Sequence, residues 1–502
     1  MTEIEDLYNQ AIELEQAGEN EKAIALFTQL AELSPKDVMS RHRLAILHFN
    51  QSDFKTAQKI AQNALKLAPK HVELNFLISE AMWRSNQKKL SIRHLNYTLQ
   101  LLPDSTRIHS SLAQKYYETA QLELALKHFS IIRELEPKNC VNLKDLARTL
   151  FYMQKLEKAA EAYKELLALT PDDAENHFLF GTLLLSLGET TEAWEHYSWR
   201  HRYQAPQFTS FKDNYTQWVG QPLQGKSILV TWEQGLGDTV HFVRYVFHLC
   251  AMGAHVILDT RPILIELFER LIPENKSITI HNADQEKPDA DFLISIMDIP
   301  YVLRSLNLPD LDYEFPYLKA PDDLVLKFQE RLSSHNGFKI GISWQGNPDY
   351  PRDATRSIPL SAFEPIAKLE GIDLISVQAI FGTDQIKNVP FPIEDLETDL
   401  LGEDRGLAPL AAAISQMDLM ITCDSATAHI AGAMNVPTWL MLPTIPDWRW
   451  GWGKTTTVLY PSLTLIRCPS DQSWNEVLVN TSTQLKHHIQ RQNTRHFFPI
   501  DS

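Results

Sequence analysis

Ile228–Arg244 reads ILVTWEQGLGDTVHFVR, and its glycines decide how the C-terminal part of the chain folds. The apolar triplet Ile228, Leu229 and Val230 predicts a short buried strand, Gly235-Leu236-Gly237 a turn, and the residues from about Asp238 an amphipathic helix. Two glycines let the main chain come close to a ligand, and the helix start behind them presents unpaired N–H groups. That pattern suits the first crossover of a nucleotide-binding α/β domain, with Asp238 at its mouth. Asp238 also suits the plainer duty of helix N-cap. What favours the binding reading is a second junction of the same kind, about 180 residues on.

There, Leu419–Cys423 predicts a buried strand that stops at Asp424, and the run from Ser425 through His429 to Ala433 opens a helix. Ser425, Ala426 and Thr427 would offer free N–H groups and a hydroxyl to a phosphate at the positive helix end. His429 falls one turn in, on the side of Ser425, where a histidine packs or caps as readily as it binds. An anion beside a phosphate is repelled, so Asp424, if it is not an N-cap, is expected to meet sugar hydroxyls.

Apolar runs alternate with helical patterns around both junctions. Strands are expected at Ile228–Thr231, His255–Leu258, Ser277–Ile280 and Phe292–Ile294, with helices at Thr239–Met252 and Pro262–Leu271. A break rich in proline and acidic residues follows at Pro309–Asp323. The pattern restarts with strands at Lys339–Trp344, Asp373–Val377, Leu419–Cys423, Pro437–Leu442 and Thr464–Arg467. Helices are expected at Ser361–Leu369, Ala408–Met417 and from about Trp474, with capping boxes Ser361/Glu364 and Ser473/Glu476. Continuous apolar runs predict parallel strands covered on both faces. The fold class expected is α plus α/β: two Rossmann-like halves, residues 226–320 and 321–502, with ligands at the carboxyl ends of their strands.

The first two hundred residues differ. Prolines stand at Pro35, Pro69, Pro103, Pro137 and Pro171, a constant step of 34. Ala23, Ala57, Ser91, Ala125, Ala159 and Ala193 keep that step, as do Phe27, Ala61, Leu95, Phe129, Tyr163 and Tyr197, and the loop positions Gly18, Ser52, Asn86, Ala120, Gln154 and Gly188. A 34-residue period with small residues at helix contacts and a closing proline resembles the tetratricopeptide repeat. The resemblance covers residues 4–205 and implies an α-solenoid, domain 1–205, whose groove takes a protein or peptide segment. A spacer or dimerisation arm is the alternative. Residues 206–225 read as a linker with Pro206, Gly220, Pro222 and Gly225; the aromatics Tyr203, Phe208, Phe211, Tyr215 and Trp218 predict that it packs against a neighbour.

Composition narrows the partners. The net charge is −16 over 502 residues, about a quarter of it in the first two hundred, so neither part is basic and general affinity for nucleic acid or anionic membrane is not expected. No signal peptide or membrane-spanning run is read. Cys140, Cys250, Cys423 and Cys468 are scattered without a C-x-x-C pair, which fits buried thiols in a reducing cytoplasm rather than a metal or disulfide frame.

Asp424-Ser-Ala-x-x-His429-x-Ala-Gly-Ala433 resembles a signature of the heptosyltransferase-type glycosyltransferases, family nine. Gly235-Leu-Gly-Asp238 is similar to their N-terminal loop, and Trp344-Gln-Gly-Asn-Pro348 with Arg356-Ser-Ile-Pro-Leu360 to the opening of their C-terminal half. Asp447-Trp-Arg-Trp450 resembles the signature of a subgroup fused behind tetratricopeptide repeats. The resemblance spans roughly residues 190–480. It implies a GT-B fold, no metal, no cofactor, and a nucleotide-sugar donor held mainly by the C-terminal half. By position, Asp238 would be the general base, Arg356 a phosphate partner, and Asp424–His429 the diphosphate–sugar site. Gly235, Gly237, Trp344, Asn347, Arg352, Gln378, Ser425, Ala426 and Thr427 complete the candidate donor set. Ser425-Ala426 departs from the usual Thr-Gly, and Gly-Trp-Gly-Lys-Thr after Trp450 diverges, so the donor is not fixed. Flagellin-modifying transferases that carry such repeats are a related type.

The chemistry agrees independently. Inverting transfer needs a carboxylate for the acceptor's proton and a means of stabilising a departing diphosphate. Helix-end amides and a guanidinium, Arg352 or Arg356, can supply the second; either arginine could instead pair on the surface with Asp349 or Asp353. Trp344, Trp448 and Trp450 can stack on a base or sugar, or only pack. Three other readings stand: an acceptor that is a glycolipid or lipopolysaccharide, a non-catalytic repeat scaffold with a degenerate transferase domain, and an NAD-dependent oxidoreductase. The last rests on Gly235-x-Gly237 with Asp259 near the ribose spacing, but Val240 replaces the third glycine.

Overall fold

The computed structural model describes residues 3–188, 190–203, 215–271, 277–308, 315–401, 406–469 and 472–497. The chain divides into two compact units, Met1–Asn176 and His177–Ser502. That division falls ahead of the boundary expected at 205/206. The reason is packing: Trp194 and Tyr197, still in the repeat register, share one buried core with Ile228, Val230 and Phe242. Pro206, Phe208, Phe211 and the stretch 309–314 lie outside the described residues. Trp218 is buried as expected, its N–H donating to Leu293 O at 2.9 Å.

The second unit carries two all-parallel sheets. The first consists of β1 (Ser227–Thr231), β2 (His255–Thr260), β3 (Ile278–Asn282) and β4 (Phe292–Ser295), in the spatial order β3-β2-β1-β4. The second consists of β5 (Phe338–Ser343), β6 (Ile372–Ser376), β7 (Glu394–Asp395), β8 (Leu419–Cys423), β9 (Thr438–Leu442) and β10 (Leu463–Arg467), ordered β10-β9-β8-β5-β6-β7. Both orders reverse at one place, between β1 and β4 and between β5 and β8. In doubly wound sheets the loops that leave strands at such a reversal diverge and open a crevice at the carboxyl ends. Asp238 follows β1, Trp344 to Arg356 follow β5, and Asp424 follows β8, so the sequence candidates gather at these two reversals. β8 and β9 are buried along their whole length, as strands covered on both faces must be.

Local differences from expectation have local causes. The helix expected over Thr239–Met252 starts earlier, as Leu236–Phe242, tightens to a 3-10 turn at Val243–Tyr245 and resumes at Val246–Ala251. Ser361 and Glu364 form no capping box, because a 3-10 turn, Leu360–Phe363, is entered from Pro359. Ser473 and Glu476 do cap each other: Ser473 N–H donates to Glu476 Oε2 at 2.6 Å and Glu476 N–H to Ser473 Oγ at 3.4 Å.

The first unit is a stack of helix pairs, from Glu3–Gln16 to Leu156–Leu169. The 34-residue step has a physical basis at three places in each repeat. Ser52, Asn86, Ala120 and Gln154 sit at φ 57–63°, with Gly18 at 77°, the left-handed conformation that turns the first helix of a pair into the second. Asp37, His71, Ser105 and Asn139 each cap the following helix through the side chain. Ala23, Ala57, Ser91, Ala125 and Ala159 have no exposed surface, so the paired helices approach closely. Where both small positions are serine, Ser91 Oγ donates to Ser79 O at 2.8 Å.

One buried pair makes this unit pH-sensitive. His109 and His128 face each other with their Nδ1 atoms 2.8 Å apart. Burial, and then His109, push the His128 imidazole down to about 4. The unfolded chain binds that proton near pH ~6.5 and the folded array only near 4, so this contribution is complete above ~6.5 and is lost as the pH falls toward 4. The urea midpoint of the array should fall across that window, and His128→Gln should flatten the fall. An unchanged slope in the variant would assign the acid sensitivity to other groups.

Candidate functional site

The main chain leaves β1 through Gln234, at φ 61°, and Gly235, which takes the extended N-cap conformation before Leu236–Phe242. Asp238 is therefore not the cap. From the first turn its Oδ2 reaches back to accept the Gly235 N–H at 2.7 Å. A Cβ on Gly235 would stand 2.9 Å from that oxygen. Oδ1 is left to face the other half of the unit, where it accepts from Arg449 Nη2.

The second junction is built alike. Ser425, not Asp424, is the N-cap of Ala426–Ala433, yet it makes no side-chain cap bond. Asp424 is thereby released from capping; its carbonyl accepts from Arg356 Nη1 at 2.9 Å. Arg356 also donates through Nε to Asp353 Oδ1 at 3.0 Å and lies 4.5 Å from the centre of the Tyr350 ring. Gly346 makes room for it: a Cβ there would meet Arg356 Nη2 at 2.5 Å. The pairing with Asp353 weighed for Arg356 is present, and the same guanidinium still reaches the β8 junction.

The two junctions meet. A Cβ on Gly237 would lie 2.7 Å from His429 Cδ2 and 3.4 Å from Ala426 Cα. His429 is buried, with Nδ1 2.8 Å from the Tyr460 hydroxyl and its ring stacked on Trp450 at 5.2 Å. Burial holds His429 and His241 well below the ordinary imidazole value, so both are neutral. Arg449 closes the arrangement. Its Nη1 donates to Asp447 Oδ1 at 2.7 Å, its Nη2 to Asp238, and its plane lies 4.4 Å from the Trp448 ring.

Three partly buried carboxylates, Asp238, Asp424 and Asp447, thus gather around this cation. Burial and the charge of Asp447 push Asp424 up to about 6, against the pull of Arg356. Burial likewise raises Asp238, with Arg449 opposing. Asp447 caps the turn Trp448–Trp450 by accepting the Arg449 N–H. No group of three or more His, Cys, Asp or Glu among the described residues is arranged to hold a metal ion. No helix among them is long and apolar enough to cross a membrane.

Other candidates sit differently. Trp344 has no exposed surface and donates through Nε1 to Gly382 O at 3.2 Å, so its ring is core and not a face open to a ligand. Gln378 is consumed internally: Oε1 accepts from Ser343 Oγ, Trp344 N and Gln345 N, and Nε2 donates to Gln345 O. It holds the β5 exit loop rather than a ligand. Arg352 donates to Ile445 O at 2.6 Å, and exposed Asn347 closes its own turn by accepting the Asp349 N–H. Thr427 is buried and Ala426 half-buried at the helix start. Asp259 is buried against Lys287 and His281, at 2.8 Å from each, so it is not free for a ribose. The sequence reading gave no role to Arg449, although Asp447-Trp-Arg-Trp450 was on view. Its signal was an arginine between two tryptophans with an aspartate just ahead of them, a few residues after a buried strand.

Residues 144–198 match the family described as tetratricopeptide repeat. The helical array is of the tetratricopeptide type. Protein FlbA of Caulobacter vibrioides is 25% identical over 350 residues, which cover 63% of this chain and 56% of FlbA. The chain therefore spans little more than half the length of that curated relative. Among solved structures, PilW, described as a widely conserved type IV pilus biogenesis factor, covers 42% of this chain and 97% of its own at 18% identity and a TM-score of 0.35. YrrB, described as a TPR protein with an unusual peptide-binding site, covers 34% and 88% at 20% identity and 0.31.

The contact between the junctions can be tested directly. Gly237→Ala places a methyl group against a histidine ring that Tyr460 and Trp450 hold in place, and overpacking of this kind costs about 1–3 kcal/mol. The melting temperature of the second unit should fall accordingly. A variant as stable as the parent would mean that the two junctions can separate without cost.

Proposed function

We propose that the protein is a metal-independent, inverting glycosyltransferase of the GT-B, heptosyltransferase-like kind, which takes a nucleotide-sugar donor and glycosylates a protein acceptor recognised by the repeat array. The meeting of the β1 and β8 junctions carries this reading. It sets Asp238 across from the start of Ala426–Ala433, with Arg356 beside that helix. A helix start and a guanidinium suit a departing diphosphate, and a carboxylate opposite them suits an acceptor hydroxyl.

In the proposed step Asp238 takes the proton of the acceptor hydroxyl as its oxygen attacks the anomeric carbon. The bond from that carbon to the diphosphate breaks, and the diphosphate leaves toward the helix and Arg356. Burial makes Asp238 a better base than an exposed aspartate, because its protonated form is favoured. Arg449 holds its orientation and balances its charge before the proton arrives. The ion pair also supports a second reading, in which Arg449 keeps Asp238 neutralised and the site binds a sugar nucleotide without turning it over. Calorimetric binding together with a turnover assay separates the two.

A panel of nucleotide sugars is the first test, since a ligand that binds only the native state raises its melting temperature. With the donor found, Asp238→Asn should keep the contact to Gly235, lower turnover by about 10²–10⁴-fold and leave donor affinity nearly unchanged. Its stability should fall by roughly 1–3 kcal/mol, because Arg449 loses a charged partner. Transfer at the parental rate would remove Asp238 from the chemistry.

The donor's phosphates supply a second test. Asp424 loses its charge as the pH falls through about 6. Binding of a nucleoside diphosphate should therefore strengthen from pH 7 to pH 5, and Asp424→Asn should abolish that trend. Arg356→Ala should weaken the same binding by roughly 1.5–3 kcal/mol. Affinities independent of both changes would place the phosphates elsewhere.

A further inference from the structure

The last helical pair of the repeat series, Ala174–Leu187 and Thr191–Ser198 with the short Arg200–Tyr203, runs into the second unit. Its side chains reach the β1 exit loop and Arg449. Arg200 has no exposed surface; its Nε and Nη2 donate to the two carboxylate oxygens of Glu233 at 2.6 and 2.7 Å, and Nη2 lies 2.8 Å from Asp298 Oδ1. Glu233 follows β1 and Asp298 follows β4. One guanidinium therefore spans the reversal of the first sheet, the place where such sheets usually leave room for a ligand. Ser295 Oγ also donates to Glu233, and His201 Nε2 lies 2.5 Å from Asp298 Oδ2.

A second connection reaches the same loop. Gln234, in its left-handed conformation, donates through Nε2 to the Tyr197 hydroxyl at 3.0 Å. A third reaches Asp238 through its partner Arg449. Trp194 and Tyr197 pack on Trp448, with ring centres 5.6 and 5.9 Å apart, and Trp448 underlies the Arg449 guanidinium that pairs with Asp238. The loop that ends in Asp238 is thus held at Glu233 and Gln234, and its partner Arg449 is held through Trp448, by one helical pair.

We infer that this last repeat is the positioning frame of the Asp238 site, with Arg200 as its principal positioning residue. The inference takes its chemistry from the transferase reading and its geometry from the contacts above. The residue type matters. Two parallel bonds from a planar guanidinium fix the direction of the Glu233 carboxylate, whereas an ammonium is a point charge that does not. A repeat that serves only as a spacer has no need of a charge buried in the sheet that carries the site.

Hydrogen exchange on the full-length chain tests the frame without any substrate. Arg200→Lys keeps the charge and loses the fork, and exchange over residues 232–238 should quicken by about tenfold or more, with β2 unchanged. Tyr197→Phe and Trp194→Phe keep an aromatic ring; each should give a smaller acceleration, and they carry the test if Arg200→Lys does not fold. Unchanged exchange of this segment in the folded variants overturns the inference. With the nucleotide sugar that most raises the melting temperature, kcat of Arg200→Lys should fall about tenfold while donor KM stays within about twofold. A rise in KM at constant kcat would also overturn it. Faster exchange in a chain whose parent transfers no sugar supports the frame and sinks the transferase reading instead.

Discussion

A guanidinium taken out of water has to bring its counter-charges with it, and much of the second unit is arranged around that demand. Arg449 and Arg200 are both nearly without exposure, and each is met by two carboxylates. Arg449 follows β9 of the second sheet, and Asp238 follows β1 of the first, so their pair ties the two sheets together where their carboxyl ends face. Arg244, also buried, donates to Leu459 O and to the Tyr317 hydroxyl. Removing one partner from such a buried pair leaves the other charge stranded, which makes these positions far less tolerant than surface ion pairs. The exposed pairs of the array, such as Arg107–Glu73, carry no comparable constraint.

What was legible in the sequence was what is local. The strands announced themselves as apolar runs, and β8 matches its expected span residue for residue. The edge strand β7 was missed because Glu394–Asp395 carries no apolar signal. Ile299–Ser305 and Asp322–Arg331 were also missed; the second begins inside the stretch Pro309–Asp323, whose prolines and acidic residues read as a break. The 34-residue step predicted turns and close contacts together, since each is set within one repeat; the caps at Asp37, His71, Ser105 and Asn139 keep the same step but were not read from it. The same step does not mark where the compact units divide. Trp194 and Tyr197 keep the register of the array while packing into the α/β core, and register says nothing about which neighbour covers a face.

The candidate site divides in the same way. Gly235, Gly237 and the Ser425 helix start were readable because a glycine turn and a helix end are main-chain chemistry. The pairing of Arg449 with Asp238 joins residues 211 positions apart, and nothing near either one signals the other. Trp344 and Gln378 lie in the right loops but face inward, one as core and one as the brace of the β5 exit. A motif places a residue near a site; it does not say which way the side chain turns. Asp238 and Asp424 were both weighed as plain caps, and both are released from that role because Gly235 and Ser425 take the cap conformation.

The charges restrict what the proposed reaction can place where. Asp238, Asp424 and Asp447 crowd around Arg449, whose two terminal nitrogens are already committed to Asp238 and Asp447. A diphosphate set among these three carboxylates would meet their repulsion. The start of Ala426–Ala433 is different: Arg356 stands beside it, donating to Asp424 O. Under the proposed reaction the donor's phosphates go to the Arg356 side, and the sugar, whose hydroxyls both donate and accept, goes between Asp424 and Asp238. In that order the diphosphate departs away from the base, and the acceptor's oxygen arrives beside it, as inversion at the anomeric carbon requires.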